Sequence, residues 1–293
     1  MKIAIDRDVN LKYETNKWTT NLLRVPSLLI LDVLPKKLAQ TIFLAFSKVD
    51  GDPKTVFRSA TTYEALEKLY TFQDRRARGE TTVSDFFWEN FLNNARAIRN
   101  RLKLVKRELH IAIVNVHQGN EPIRILSLGG GSARAVFEVV RALNGIQPVN
   151  VKLIDMSRDA VNYSKELATK FDLNSQIEWH QGYAQNLERY CKNFHPHIVE
   201  MVGMLDYFTR EQAIDLLTKI HKKLLPGGWL ITCNIRPNLE SPFVTKGINW
   251  PMTYREPAEL ADILIKGGFS ENQSKIIYEP LGIHGLAVAQ KVV

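Results

Sequence analysis

From residue 123 onward, short apolar runs alternate with longer stretches in which apolar residues recur every three or four positions. Short apolar runs are typical of buried strands, and the longer periodic stretches are typical of helices that bury one face. We therefore predict seven strands, at 123–128, 151–155, 177–180, 197–203, 229–235, 274–280 and 285–293. Helices are predicted between them at 133–145, closed by Gly145, and at 157–171, 210–225 and 256–269.

Strands that alternate with helices of 12–16 residues predict βαβ units and a parallel sheet. Only LGIH separates the last two strands, which is too short for a parallel crossover, so that pair must be antiparallel. The predicted fold class is therefore α/β, a doubly wound, mostly parallel seven-stranded sheet with an antiparallel terminal strand.

The N-terminal part has a different pattern, which predicts a mainly helical region over residues 1–118. Residues 61–79 have helical spacing, and residues 86–117 have a longer apolar stripe that runs from Phe91 to Leu109. The turn-rich segment HQGNEP, residues 117–122, marks the junction. We predict an N-terminal helical cap or dimerisation region, 1–118, and an α/β domain, 119–293.

Charge adds a candidate surface to the N-terminal part. The net charge of the 293 residues is +8, and residues 1–121 hold 20 Lys and Arg against 14 Asp and Glu. Such an excess suits an acidic small molecule, a nucleic acid or a membrane surface. The basic residues that lie largely off the apolar stripe form either a solvated face or an anion-facing wall: Arg96, Arg99, Lys103, Lys106 and Arg107.

Two cysteines, Cys191 and Cys233, lack the spacing of a metal site, so we predict no metal and a reducing, cytoplasmic compartment. The most apolar N-terminal segment, residues 22–46, is interrupted by prolines and charges. It contains no apolar span of 18 residues, so no membrane span is predicted, and buried or interface helices are expected there.

The segment ILSLGGGSAR, residues 125–134, is the main candidate for ligand binding. Three glycines between a strand and a helix bring bare backbone to the carboxyl edge of a sheet, where open α/β sheets bind ligands. The dinucleotide pattern GxGxxG fails at Arg134, and no P-loop lysine follows. Asp155 ends the next strand and could accept bonds from a ribose diol, or cap the next helix, although Ser157 could also cap it.

With these residues in place, the chain resembles the class I S-adenosylmethionine-dependent methyltransferases over about residues 120–293. The resemblance rests on ordered features: the glycine motif LSLGGGSAR, IDMS, the loop HQGYAQNL, IVEMVGMLDYF, the LLPGG element, and the reversed terminal strands. It implies S-adenosylmethionine as the cofactor. The residues that it assigns to cofactor binding are Ser127, Gly129, Gly130, Gly131, Ala133, Asp155, Met156, Tyr183, Ala184 and Gly203.

Three positions depart from the family's usual pattern. The family commonly has an acidic residue at the position of Ser127, where it helps to bind the methionine end of the cofactor. At Tyr183 it commonly has an aspartate that contacts adenine; here the tyrosine ring could stack, or Gln181 or Gln185 could supply the polar contact. The position of His197 is also commonly acidic.

Methyl transfer needs positioning and exclusion of water, and it needs a base only if the acceptor must lose a proton. Asp206 and Tyr207, after the fourth predicted strand, are candidates to orient or deprotonate an acceptor, or else pack the loop. The insertion 236–256 is long enough to form a lid, and its candidate substrate contacts are Trp250, Tyr254 and Arg255. His284, between the last two strands, is expected to be structural.

The sequence therefore predicts S-adenosylmethionine-dependent methyl transfer to a small-molecule acceptor. The basic residues of the N-terminal helix would suit an acidic acceptor. The alternatives are an RNA methyltransferase that binds through the basic N-terminal part, a catalytically silent methyltransferase-like binding protein, and transfer of another group such as aminopropyl. The absent [DN]PP[YFW] signature weighs against methylation of nucleobase amino groups. The N-terminal helices are expected to cover the ligand-binding edge or to form a homodimer.

Overall fold

One eight-stranded sheet organises the computed structural model, which describes residues 3–16, 18–35, 37–38, 41, 51–116, 121–143 and 147–292. The strand order is β1-β7-β8-β6-β5-β2-β3-β4. Only β8 runs antiparallel to its neighbours among the described strands, so the predicted fold class is confirmed. The strands are β1 (Ala4–Arg7), β2 (Ile123–Leu128), β3 (Val149–Asp155), β4 (Ile177–Gln181), β5 (Ile198–Met201), β6 (Trp229–Ile235), β7 (Ser274–Tyr278) and β8 (His284–Gln290).

The prediction of seven strands was one short, because β1 comes from the region predicted to be helical. Ala4–Arg7 pairs in parallel with β7 at the sheet edge, and all four of its residues are exposed. A four-residue edge strand without a buried face has no apolar alternation, so periodicity could not reveal it. The division of the chain at residue 118 stays a prediction.

Helices of the α/β part follow the predicted positions closely. Ser157 caps the helix Arg158–Lys170, because its hydroxyl accepts the backbone N–H of Ala160 at 3.2 Å. The predicted helix end at Gly145 and the junction residues 117–120 lie outside the described residues. The helices here are α7 (Arg134–Ala142), α8 (Arg158–Lys170), the short α9 (Leu187–Tyr190), α10 (Arg210–Lys223) and α11 (Pro257–Lys266).

The N-terminal helices are shorter than predicted, because the apolar pattern of two segments continues across a residue at which the helix is interrupted. The stretch 61–79 divides at Thr71, and the stretch 86–117 divides at Leu92, whose backbone is extended with φ −110° and ψ 126°. An apolar stripe can run on across one extended residue, so the stripe alone predicted one long helix. The helices are α1 (Trp18–Val33), α2 (Asp52–Arg58), α3 (Tyr63–Tyr70), α4 (Phe72–Ala77), α5 (Val83–Phe91) and α6 (Asn93–Val116).

Glu240, in the insertion after β6, explains why a new helix can begin at Asn93. Its fully buried carboxylate accepts the backbone N–H groups of Asn93 at 2.6 Å and Asn94 at 2.8 Å. Arg24 of α1 forms an ion pair with the same carboxylate. A carboxylate at a helix N-terminus satisfies unpaired N–H groups and the helix dipole, so one side chain joins the insertion to two N-terminal helices.

Apolar packing places the N-terminal helices and the insertion against each other. Two core clusters include residues of the sheet and its flanking helices, and a third lies between the N-terminal helices and the insertion. Within the described part of the chain, no helix is long and apolar enough to cross a membrane. The third cluster contains Leu28, Val56, Ala65, Leu69, Leu92, Ala95, Phe243, Val244, Ile248 and Trp250.

Candidate active site

A cavity of about 590 Å³ lies at the carboxyl ends of β2, β3 and β5. The chain order reverses between β2 and β5, and ligands of open α/β sheets bind at such switch points. The predicted glycine turn and the loop after β4 both reach this cavity. Of the predicted cofactor residues, the ones that line it are Gly129, Gly130, Gly131, Ala133, Asp155, Met156, Tyr183, Ala184 and Gly203.

The backbone conformation of the glycine turn disfavours residues with side chains. Gly129 has φ +58° and Gly131 has φ +57°, and a Cβ atom on Gly129 would lie 2.7 Å from the Met204 sulfur. Ala133 follows in the left-handed region as the N-cap of α7. The turn therefore keeps open backbone beside the cavity, at the N-terminus of a nine-residue helix, where anions are favoured.

Asp155 has two bonded oxygens and room for further bonds. Its Oδ2 accepts the N–H of Gly131 at 2.9 Å, and its Oδ1 accepts the N–H of Ser157 at 2.8 Å. A carboxylate offers about four acceptor positions, so two remain for a ligand. Burial raises the pKa of Asp155, and the two backbone hydrogen bonds oppose that rise. Asp155 thus tethers the glycine turn in addition to facing the cavity.

Two large side chains at the cavity are unusually exposed for their type. Met156 is 64% exposed and Tyr183 is 58% exposed. Both line the cavity, on the loops that follow β3 and β4. Of the two glutamines considered for a polar contact, Gln185 lines the cavity and Gln181 does not. A flat ligand bound between these loops would cover apolar surface on Met156 and Tyr183.

A carboxylate lies on the strand next to Ser127, the position where the family commonly has an acidic residue. Ser127 of β2 is in register with Glu200 of β5, and its hydroxyl donates to Glu200 Oε2 at 2.7 Å. Glu200 lines the cavity, whereas Ser127 is fully buried behind it. Burial raises the pKa of Glu200 to about 7, against the opposing effects of Ser127, the Val202 amide and the Arg101 charge.

Glu67 of α3 attaches the N-terminal helices to the glycine turn. Its buried carboxylate accepts hydrogen bonds from Ser132 Oγ at 2.6 Å, Arg134 Nη2 at 2.6 Å and the Tyr163 hydroxyl at 2.9 Å. Ser132 and Arg134 follow the glycines directly. One side chain of the N-terminal region therefore holds the start of α7 and its neighbour α8.

A second, smaller cavity of about 60 Å³ adjoins the first. The two cavities share four lining residues: Leu66, Arg101, Gly203 and Tyr207. Its walls come from α2, α3, α5 and α6 on one side and from the insertion on the other. The lining is mostly apolar, with polar groups from Asn94, Arg101, Asp206, Tyr207 and His284.

Three predicted catalytic or substrate residues meet at this smaller cavity. Asp206 is buried, and its Oδ1 accepts from Asn234 Nδ2 and the Ile235 N–H, each at 2.8 Å. Burial raises the pKa of Asp206 to about 6 and that of Tyr207 to about 12. The Tyr207 hydroxyl accepts from Trp250 Nε1 at 2.7 Å. The raised pKa favours the protonated hydroxyl of Tyr207, so of its two predicted roles it fits orienting an acceptor better than deprotonating one.

Tyr254 and Arg255, the other predicted substrate contacts, line neither of these two cavities. The Arg255 guanidinium is buried, donates to the Leu205 carbonyl at 2.8 Å and also contacts Asn234 and the Phe208 carbonyl. These contacts fasten the end of the insertion to the segment after β5.

Arg101, like Glu200, is a functional candidate that sequence reasoning missed. It lies on the buried face of α6, four residues after Ala97 and three before Leu104, and it lines both cavities. The signal for it in the sequence was a charged residue on the apolar face of a predicted helix. The basic residues singled out instead have partners elsewhere: Arg99 pairs with Glu14 and Glu89, Lys103 with Glu14, Lys106 with Glu138, Arg107 with Asp8 and Glu108, and Arg96 bonds Asn16.

The sheet, its reversed strand and the cavity at the switch point define a Rossmann-like methyltransferase fold. The sequence profile of a family described as "Putative methyltransferase" matches residues 49–291, so the chain belongs to that family. No curated protein matches the chain significantly.

Two solved structures illustrate the likeness of fold. A structure described as that of a possible exported protein from Bordetella parapertussis has a TM-score of 0.70 at 16% identity, covering 95% of this chain and 100% of the other. Magnesium protoporphyrin IX methyltransferase (ChlM) from Synechocystis PCC 6803 with bound SAH has a TM-score of 0.54 at 15% identity. That match covers 75% of this chain and 92% of the other.

Proposed function

We propose that the protein transfers a methyl group from S-adenosylmethionine to a small-molecule acceptor. The observation that carries the proposal is that the 590 Å³ cavity at the switch point adjoins a 60 Å³ apolar cavity through shared walls. The family assignment supports methyl transfer, and the similar ChlM structure contains bound SAH. When bound, the cofactor supplies an electrophilic methyl group on a sulfonium.

The residues present suit this cofactor. The remaining acceptor positions of Asp155 would take the ribose hydroxyls, and Met156 and Tyr183 would flank the adenine. The backbone at Gly129–Gly131 and the N-terminus of α7 would face the methionine carboxylate. Glu200 would receive the methionine ammonium group, which restores the charge that the family commonly has at Ser127.

The acceptor would lie beside the cofactor in the larger cavity, at the boundary that it shares with the smaller one between the N-terminal helices and the insertion. The hydrogen bond from Trp250 to Tyr207 fixes one wall at this boundary. Holding the acceptor against the shared boundary at Gly203 and Arg101 supplies the orientation that methyl transfer needs. Asp206 remains a candidate to orient the acceptor from the segment after β5.

Calorimetry with S-adenosylhomocysteine tests the cofactor assignment. We expect saturable binding with one site per chain, and no heat at high ligand concentration would refute the proposal. An RNA methyltransferase would in addition show RNA binding that weakens steeply with salt, which a filter-binding assay measures. A catalytically silent binding protein would transfer no labelled methyl group from S-adenosylmethionine to any acceptor in a cell extract.

Asp155→Ala should lower affinity for S-adenosylhomocysteine about tenfold, because two ribose hydrogen bonds of about 0.5–1.5 kcal/mol each are lost. The substitution also removes the hydrogen bond between Asp155 and the Gly131 N–H. Ser157→Ala is the control for a change at the same end of β3. It leaves the Asp155 carboxylate in place and removes only the hydroxyl that caps α8. If the wild type and Asp155→Ala bind S-adenosylhomocysteine with equal affinity, Asp155 does not bind the cofactor.

We further propose the cytoplasm as the compartment, because both cysteines are free thiols in buried positions. The neighbouring structure described as a possible exported protein suggests the opposite. Cell fractionation with an antibody against the native chain decides between them.

A further inference from the structure

One face of α3 forms a wall of the larger cavity. Tyr63, Leu66 and Tyr70 line it, and their spacing of three and four residues places them on the same side of the helix. The two residues before the helix, Thr61 and Thr62, also line the cavity and are exposed. Tyr63 follows them directly, so it lies where this wall meets the mouth of the cavity.

Tyr63 packs between the glycine turn and α8. A Cβ atom on Gly131 would lie 3.3 Å from the Tyr63 Cβ atom, so the missing side chain of Gly131 allows this close approach. The Tyr63 ring lies against the Tyr163 ring of α8, with centroids 4.9 Å apart and planes at 33°. Gly131 also donates its N–H to Asp155 at 2.9 Å. A ribose bound by Asp155 would therefore lie next to Tyr63.

The side chain of Tyr63 is available for contact with a ligand. It is half-buried, and its hydroxyl forms no hydrogen bond within the part of the chain that the structure describes. Burial raises the pKa of this hydroxyl, and nearby carboxylates raise it further, among them Asp159 and Glu166 of α8. An aromatic ring that a ligand covers loses a large apolar area to water, so the Tyr63 ring can contribute binding free energy to a ligand of this cavity.

Building on the proposed function, we propose that Tyr63 is a cofactor-binding residue supplied by the N-terminal region, and that its ring covers the ribose of S-adenosylmethionine beside Asp155. Glu67, one helical turn further along α3, holds the helix on the glycine turn through Ser132 and Arg134. Retention of the cofactor then depends on the packing of α3 against the α/β part. Removal of the ring exposes the ribose to water and speeds dissociation of the cofactor.

Tyr63→Ala should lower the affinity for S-adenosylhomocysteine about tenfold in calorimetry, mainly through faster dissociation. The affinity for 5′-methylthioadenosine, which has the ribose but lacks the amino acid part, should fall by the same factor. Tyr63→Phe keeps the ring and should bind both ligands as the wild type does. Equal affinities of Tyr63→Ala and the wild type would overturn the proposal. A loss confined to S-adenosylhomocysteine would overturn the ribose assignment.

Tyr13→Ala is the matched control, because Tyr13 is also a half-buried tyrosine of the N-terminal part and lines neither of the two cavities. Its affinity for both ligands should equal that of the wild type.

Hydrogen exchange of the wild type tests the same contact if Tyr63→Ala does not fold. The amides of α3 should exchange about tenfold more slowly with S-adenosylhomocysteine bound. Those of α4, which lines neither of the two cavities, should change little. The same protection in α3 and α4 would contradict the contact. A wild type that fails to bind S-adenosylhomocysteine refutes the proposed function instead.

Discussion

Glu200→Gln should weaken binding of S-adenosylhomocysteine about 10- to 100-fold at pH 8, measured by calorimetry. The ammonium of the methionine end would lose its only carboxylate partner from β5, and a hydrogen bond to a charged group contributes about 1.5–3 kcal/mol. Glutamine has nearly the same shape, so its carbonyl can still accept from Ser127. The loss would therefore report the charge and not the packing.

The same substitution should stabilise the protein without ligand. Burial raises the pKa of Glu200 from the ordinary 4.5 to about 7, so the folded chain binds this proton more tightly than the unfolded chain does. Stability is therefore lost as pH rises from about 4.5 to about 7, and it is lowest above that range. Removing the charge should raise the free energy of unfolding at pH 8 by about 2–3 kcal/mol, and by little at pH 4.

Ser127→Ala separates the hydrogen bond from the charge. It keeps the Glu200 carboxylate but removes a donor that lowers its pKa, so cofactor affinity at pH 8 should fall much less than in Glu200→Gln. In the wild type, affinity should rise between about pH 6 and 8 as Glu200 ionises, and the Ser127→Ala curve should lie at higher pH. Affinity that is flat with pH in both proteins would contradict the role of Glu200.

Glu240→Ala should lower the free energy of unfolding by about 3–5 kcal/mol, the usual cost of breaking a buried ion pair. The carboxylate is fully buried and holds Arg24, the first N–H groups of α6 and the Asn94 side chain. Urea denaturation followed by circular dichroism measures the change, from the midpoint urea concentrations of the two proteins at equal m value.

Glu188→Ala is the matched control for that experiment, since Glu188 is exposed at the start of α9. Its effect should stay within about 0.5 kcal/mol. A loss below about 1 kcal/mol for Glu240→Ala would show that the insertion is held by the apolar contacts of Trp250, Val244 and their neighbours alone. Because Glu240 lines neither cavity, affinity for S-adenosylhomocysteine should change little in the folded variant.

Periodicity predicted the α/β part because each of its strands and helices buries a regular face. The strands at 123–128 and 229–235 have the predicted bounds, and the antiparallel end pair followed from a four-residue connection. The breaks at Thr71 and Leu92 were missed because a single residue with a non-helical backbone leaves the apolar stripe intact. The helix start after Leu92 is also stabilised by Glu240, which accepts the N–H groups of Asn93 and Asn94 from 147 and 146 positions away in the sequence.

The site was predictable where it depends on consecutive residues and not where it depends on register. The glycine turn follows β2 directly, Asp155 is the last residue of β3, and both line the larger cavity. Glu200 becomes a neighbour of Ser127 only through the pairing of β2 with β5. His284 was expected to be structural from its position between two strands, and that expectation stays a prediction.

Residues 66–69 of α3 complete a single helical turn that serves both cavities. Leu66 and Leu69 line the smaller cavity, while Glu67 between them holds the glycine turn through Ser132 and Arg134. With the acceptor bound beside this wall as proposed, a substitution that shifts the turn to reshape the wall also moves the support of the cofactor. We then expect acceptor selectivity and cofactor affinity to change together, and a change in selectivity alone to be reached more freely from the insertion side, through Val244, Ile248 or Met252.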